Sequence, residues 1–270
     1  MITTAALEAK GLSIAFGGLK AVADFSIRLE PRALQGLIGP NGAGKTTVFN
    51  LLTGVYQPDH GEIHLGGHRI DGHKTSAIAR AGMARTFQNI RLFGELSVLD
   101  NVRTGASVRA RCGFLRTMLR SPLYLAEERA ITERSLELLN VLGIAHRRNE
   151  QAKSLPYGDQ RRLEIARALA TEPQVLLLDE PVAGMNTQEK RAMRGLIQSL
   201  REQFSVAVFL IEHDMGLVMD ICETITVLDH GETIAVGSPA EIQNDARVIA
   251  AYLGVPEETD GAAPAADAGA

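Results

Sequence analysis

The stretch Gly39-Pro40-Asn41-Gly42-Ala43-Gly44-Lys45-Thr46-Thr47 decides how the rest of the chain is read. It fits the pattern GxxxxGK[ST], a loop that binds phosphate. Glycines let the backbone curl until its N–H groups point inward at phosphate oxygens. The helix expected after the loop presents its positive N-terminal end to the same anion. Lys45 supplies a point charge for the β- and γ-phosphates, Thr46 a hydroxyl for Mg²⁺, and Thr47 a hydrogen bond to the α-phosphate. The flanks agree with this reading. Ala33–Ile38 is a short apolar run that predicts a strand into Gly39, and Val48, Leu51 and Leu52 recur at helical spacing over Lys45–Thr53. Gly54 is placed to stop that helix.

Further out, Val22–Leu29 alternates as a strand does, and Gly61–Leu65 and Met83–Phe87 predict further short strands. Between about Leu96 and Ala152 the chain is richer in Arg and Glu. Ile131, Leu138, Leu139 and Leu142 there share one helical face, so this segment predicts helix without strand. From Gln160 the strand–helix alternation resumes. Helices are expected over Arg161–Ala170 and Gln188–Glu202, and buried strands over Val175–Leu178 and Val206–Ile211. The unbroken apolar runs of those two strands suit a parallel sheet covered on both faces. Residues 257–270 hold Ala, Gly, Asp and Pro with no large apolar side chain, and are expected to form a disordered tail.

A chain of 270 residues suits one large α/β domain, and 45% hydrophobic residues provide a sizeable core. A net charge of -4 argues against a nucleic-acid partner, which needs a clustered basic face. Cys112 and Cys222 form no CxxC pair, which disfavours a disulfide framework or cysteine zinc site and points to a reducing cytosol. No signal peptide is visible at the start, and no apolar run approaches the roughly 20 residues of a membrane span. A membrane role therefore requires another chain to supply the spanning part.

Other residues carry the chemistry further. Val175-Leu176-Leu177-Leu178-Asp179-Glu180 delivers two carboxylates to the carboxyl end of a buried strand, where ligands bind in open α/β sheets. Asp179 is expected to hold Mg²⁺ through water, and Glu180 to reach a water at the γ-phosphate as general base. His213 follows the next apolar strand and is expected to sense or polarise the γ-phosphate. Gln88 is a polar end to the strand Met83–Phe87 and says little by itself. Leu155-Pro156-Tyr157-Gly158-Asp159-Gln160 opens a helix, whose start forms a second anion site. Two phosphate-binding helix starts beside one lysine loop make sense if two chains share their nucleotides.

Taken together and in this order, the loop 39–47, Gln88, the 155–160 segment, Asp179-Glu180 and His213 resemble the ATPase subunits of ABC transporters. The resemblance runs from about Leu7 to Gly254. It implies a P-loop NTPase core with a mostly parallel sheet, an N-terminal antiparallel β portion and an inserted helical subdomain at about 95–160. A single domain would span 1–254, and 255–270 would be the tail. Phe16–Val22, Arg85–Phe93, Tyr157–Arg167, Ile211–Met215 and Ala251–Gly254 are similar to the branched-chain amino-acid importer ATPases, in particular the larger of their two ATPase subunits. The cofactors implied are ATP and Mg²⁺. The implied partners are two transmembrane permeases, a second related ATPase subunit and, indirectly, an extracytoplasmic substrate-binding protein, with the chain peripheral on the cytoplasmic face of the cell membrane. In this family Phe16 would stack on adenine, and Gln88 would link the site to the permease and help position Mg²⁺ or water. Tyr157, Gly158, Asp159 and Gln160 would cap the partner chain's γ-phosphate.

Three departures from the family pattern bear on the site. The usual signature is Leu-Ser-Gly-Gly-Gln, whereas Pro156 offers neither hydroxyl nor N–H, and Asp159 adds a negative charge. Both are expected to weaken that half-site. Asn186 stands where many relatives carry Asp. Other cargoes, such as urea, short amides or lipopolysaccharide, fit the same motor. A non-transport ABC ATPase of DNA repair or translation fits poorly, because such proteins usually pair two ATPase domains or carry long inserts and basic surfaces.

Overall fold

A computed structural model describes residues 4–109 and 121–253. The core is a six-stranded sheet built around β3 (Leu34–Ile38), which lies between two parallel neighbours. On one side run β8 (Ala207–Ile211), β7 (Val175–Asp179) and β6 (Met83–Arg85), all parallel. On the other lie β9 (Thr224–Asp229) and then β10 (Glu232–Gly237), which turns back antiparallel. A second, antiparallel sheet has the order β2 (Leu19–Leu29), β1 (Leu7–Phe16), β4 (His60–Leu65), β5 (His68–Arg69). The α/β core and the N-terminal antiparallel portion implied by the resemblance are both present.

The central strands are apolar throughout because both of their faces are covered. Side chains alternate between two cores. Val175 and Leu177 of β7, with Phe209 and Ile211 of β8, join the core shared with the antiparallel sheet and α1 (Lys45–Leu52). Leu176 and Leu178, with Val208 and Leu210, join the helices on the other face. These include α5 (Tyr157–Leu169) and α6 (Thr187–Phe204). Phe49 of α1 packs its ring 5.4 Å from that of Phe209, fixing the first helix on the sheet.

The middle of the chain is helical, as expected. Among the described residues it contains α3 (Val98–Ala106) and α4 (Pro122–Val141). Leu138, Leu139 and Leu142 are buried and Ile131 packs against the same core. A single bridge between Ser97 and Gln151 closes this segment at its base. The remaining helices are α2 (Thr75–Ala81) and, after β8, α7 (Met215–Ile221), α8 (Pro239–Asn244) and α9 (Ala246–Leu253). The tail expected over 255–270 lies outside the described residues.

Two sequence expectations need correction. The first helix ends at Leu52 with Thr53 as its C-cap, one residue earlier than expected, and Gly54 follows in a left-handed conformation at φ 69°. The strand expected over Met83–Phe87 stops at Arg85. Beyond it, the Thr86 hydroxyl accepts from Asp179 N at 3.2 Å, and the carbonyls of Phe87 and Gln88 accept from Arg161. The backbone is drawn off the sheet edge toward α5.

Gly39 joins β3 to the loop at φ 150°. A Cβ there would stand 1.9 Å from the Leu228 carbonyl oxygen of β9. Gly39→Ala is therefore expected to cost about 3 kcal/mol or more in stability. Urea unfolding monitored by circular dichroism measures this, and a loss under about 1 kcal/mol contradicts it.

Candidate functional site

Strand order places the site. β3, β8 and β7 are adjacent and parallel, so their carboxyl ends deliver Gly39, Glu212-His213 and Asp179-Glu180 side by side. β6 next to β7 brings in Gln88 a few residues later. A cavity of about 260 Å³ forms there, lined by loop residues 41–47 with Gln88, Glu180 and His213. The sequence motifs from four separate regions thus meet at one cavity.

The loop turns onto α1 through Gly44, which is left-handed at φ 102° and leaves no room for a side chain, since a Cβ would meet Ala21 O at 2.5 Å. Gly39 and Pro40 turn their carbonyls toward the lysine of their own loop. Lys45 Nζ donates to Gly39 O at 2.7 Å and to Pro40 O at 2.8 Å. Its side chain is buried, and burial lowers its pKa from the usual lysine value, opposed by the nearby carboxylates of Glu180 and Asp179. Thr46 is exposed and Thr47 half-buried in the first turn of α1.

Glu180 is the centre of the opposite wall. Its backbone stands at φ 48°, and its N–H donates to Ile211 O at 2.9 Å, so the residue is pinned where β7 leaves the sheet. Its two carboxylate oxygens have different partners. Gln88 Nε2 donates to Oε2 at 2.9 Å, and His213 Nε2 lies 2.6 Å from Oε1. Two residues from separate loops therefore hold one carboxylate against the cavity.

Asp179 is buried just behind. Arg85 Nη2 donates to its Oδ2 at 2.8 Å, and the same guanidinium donates through Nη1 to Asn50 Oδ1 of α1 at 2.7 Å. One Asp179 oxygen is thus committed to Arg85, a partner that sequence reasoning missed although the residue stands inside the quoted Arg85–Phe93 match. Thr46, Gln88 and Asp179 together offer only oxygen donors from hydroxyl, amide and carboxylate, the set that suits a hard cation such as Mg²⁺. No group of three or more His, Cys, Asp or Glu among the described residues forms a metal cage. Mg²⁺ usually takes one or two protein oxygens and completes its shell with phosphate and water.

Glu212 was also missed. It is buried, and its carboxylate accepts from Val182 N at 2.9 Å, His213 N at 3.0 Å and Asp214 N at 3.3 Å. Burial raises its pKa from the usual carboxylate value, against these backbone donors. It ties the segment after Glu180 to the segment carrying His213.

The 155–160 segment behaves differently. Tyr157, Gly158, Asp159 and Gln160 form the first turn of α5, outside the cavity. Gln160 Nε2 folds back to Leu155 O at 2.9 Å, and no side chain caps the helix, so its first N–H groups are open to an outside acceptor. The added charge of Asp159 is not bare. Arg147 Nε lies 3.0 Å and Arg162 Nη1 3.8 Å from its carboxylate. Asn186 caps α6, accepting from Gln188 N at 2.9 Å and Glu189 N at 3.0 Å, so the short amide serves as a helix cap. Phe16 is 46% exposed at the end of β1, with its ring edge-on to Tyr56 at 5.1 Å, and is not among the residues lining the cavity.

A fold with this loop, these strand ends and this detached helix start is shared with known proteins. A family profile described as ABC transporter matches residues 22–183, and the chain belongs to that family as an ATP-binding subunit. A second profile, described as branched-chain amino acid ATP-binding cassette transporter, matches residues 232–258. The chain is 44% identical over 248 residues to the high-affinity branched-chain amino acid transport ATP-binding protein LivG of Salmonella typhimurium, covering 92% of this chain and 97% of that protein. The same figures hold for BraF of Pseudomonas aeruginosa, of the same description. It is 35% identical over 250 residues to the lipopolysaccharide export system ATP-binding protein LptB of Escherichia coli, covering 93% and 98%. Among solved structures, the ADP conformation of the ATP-binding cassette MJ1267 superposes with a TM-score of 0.81 at 26% identity, covering 93% of this chain and all of that one. No described helix is long and apolar enough to cross a membrane.

Removing the Glu212 carboxylate leaves three backbone N–H groups without their acceptor. Glu212→Ala is expected to cost about 2–4 kcal/mol. Equilibrium urea unfolding gives the number, and a cost within about 0.5 kcal/mol of zero denies Glu212 its linking role.

Proposed function

We propose that the chain binds and hydrolyses ATP with Mg²⁺ as one motor subunit of an importer for branched-chain amino acids, working with membrane permeases and a second ATPase subunit at the cytoplasmic face of the membrane. The observation that carries the ATPase reading is Glu180, held between Gln88 and His213 across a cavity from the Lys45 loop.

The loop N–H groups and Lys45 bind the phosphates, and Thr46 and Thr47 add hydroxyls from the start of α1. Thr46, Gln88 and, through water, Asp179 would hold Mg²⁺, which would supply charge neutralisation at the β- and γ-phosphates. Glu180 takes the proton from the attacking water, a role suited to a carboxylate fixed at the cavity wall. His213 orients Glu180 through the short contact to Oε1 and faces the γ-phosphate position. Phe16 offers an exposed ring for adenine to stack on.

A two-chain arrangement is supported by the uncapped start of α5, which lies outside the chain's own cavity. Facing another subunit, the N–H groups of Tyr157 and Gly158 would receive that subunit's γ-phosphate. The pairing of Asp159 with Arg147 and Arg162 removes much of the repulsion its charge would impose there. A further cavity of about 340 Å³ is lined by Ile78, Met83, Phe93, Arg167 and Phe87, the residue before Gln88 in sequence. It suits a short helix of a permease.

The cargo reading rests on the 44% identity to LivG and BraF, against 35% to LptB, and on the match at 232–258. Lipopolysaccharide export is therefore the weaker alternative. Lys45→Ala is expected to abolish binding of a fluorescent ATP analogue to the purified chain and to stop uptake of radiolabelled leucine by cells that depend on it. Retained tight nucleotide binding contradicts the loop assignment. Lost nucleotide binding with unchanged leucine uptake contradicts the cargo alone.

A further inference from the structure

The detached signature and the cavity are joined by one buried side chain. Arg161 lies one turn into α5 and is 2% exposed. Its guanidinium donates in several directions. Nη2 donates at 2.8 Å and Nε at 3.1 Å to the hydroxyl of Tyr157, the first residue of the signature helix. Nη1 donates to Phe87 O at 2.7 Å, and Nη2 to Gln88 O at 2.5 Å. Glu164, one turn further, ion-pairs with Arg161 at 3.5 Å and accepts from Phe87 N and Arg91 N, each at 3.3 Å. The loop that carries Gln88 is therefore gripped by α5 on both sides and has left its own strand.

The path continues without a gap. The Gln88 side chain donates to Glu180 Oε2 at 2.9 Å, and His213 meets the other oxygen at 2.6 Å. A shift of the α5 start reaches Glu180 through Tyr157, Arg161 and the backbone of Gln88. The chemistry requires arginine at this point. Its planar fork serves a hydroxyl and two carbonyls at fixed angles, whereas a lysine ammonium is a compact point donor on a flexible stem. A mere filler for the core would not need so many directed bonds, and desolvating a guanidinium is costly unless each is satisfied.

We infer that Arg161 is a positioning residue that couples the signature of a subunit to its own Gln88, so that engagement of the partner's nucleotide at the α5 start is passed to the Gln88–Glu180 contact. This rests on the two-chain ATPase reading given above. It makes hydrolysis in each site depend on occupancy of the other, which is a coupling free energy between two sites.

The test is steady-state ATP hydrolysis by the full-length chain over a range of ATP concentrations, with wild type, Arg161→Lys and Tyr157→Phe. Tyr157→Phe keeps the ring and removes only the hydroxyl that accepts from Arg161, and so serves where Arg161→Lys fails to fold. Binding of a non-hydrolysable ATP analogue and the melting temperature are read in parallel. For a folded variant, kcat is expected to fall about tenfold with analogue affinity kept within about twofold. The Hill coefficient is expected to drop from about two to about one. Unchanged kcat and Hill coefficient in both variants overturn the inference. So does a loss of analogue binding and melting temperature with the Hill coefficient kept, which is what a scaffold residue would give. A wild type that hydrolyses ATP with a Hill coefficient near one overturns the coupling while leaving the ATPase reading intact, and a wild type that hydrolyses none overturns both.

Discussion

The Glu180 carboxylate is a single group with two claimants, and the site is arranged around satisfying both. Gln88 reaches it from the loop after β6, and His213 from the loop after β8. Neither loop is free to take another course. The first is gripped by Arg161 and Glu164 of α5, and the second is fastened through Glu212 to the backbone of Val182. The backbone of Glu180 is held in turn by Ile211. A carboxylate held from several elements at once loses little entropy when a reacting water is placed beside it.

That arrangement follows from strand order. A parallel sheet points the carboxyl ends of its strands the same way, so chain segments far apart in sequence end at one edge. Here β3 lies next to β8, β8 next to β7 and β7 next to β6. Alternate side chains of β7 and β8 are buried against α1 and against the helical layer. A slip by one residue would exchange the two sets and carry Asp179 out of reach of Arg85.

The loop 39–47 and the runs before Asp179 and His213 were legible in the sequence because each has a local signature, either glycines at fixed spacing or an unbroken apolar strand. Gln88 drew its weight only from the resemblance, since one amide after a strand has no pattern of its own. The strands β1, β9 and β10 and the helices after β8 were not anticipated; β1 is interrupted by Gly11 at φ 61°, which blurs its alternation. Arg85, Glu212 and Arg161 were missed for a common reason. Each serves another residue's backbone or carboxylate from a distant element, and no short window contains both partners. The i,i+4 spacing of Tyr157 and Arg161 and the i,i+3 spacing of Arg161 and Glu164 were the available hints. Likewise the pairing of Asp159 with Arg162 is local, but its closer partner, Arg147, comes from before the helix.

The claim on which the rest turns is that Glu180 removes the proton from the attacking water. Single-turnover hydrolysis of bound ATP by Glu180→Gln, beside wild type, tests it directly, because the amide keeps the shape of the side chain and an oxygen that can accept from Gln88, but not its basicity. The account predicts ATP binding close to that of wild type with hydrolysis slowed roughly 100- to 10,000-fold. Turnover at the wild-type rate would contradict it and place the base elsewhere.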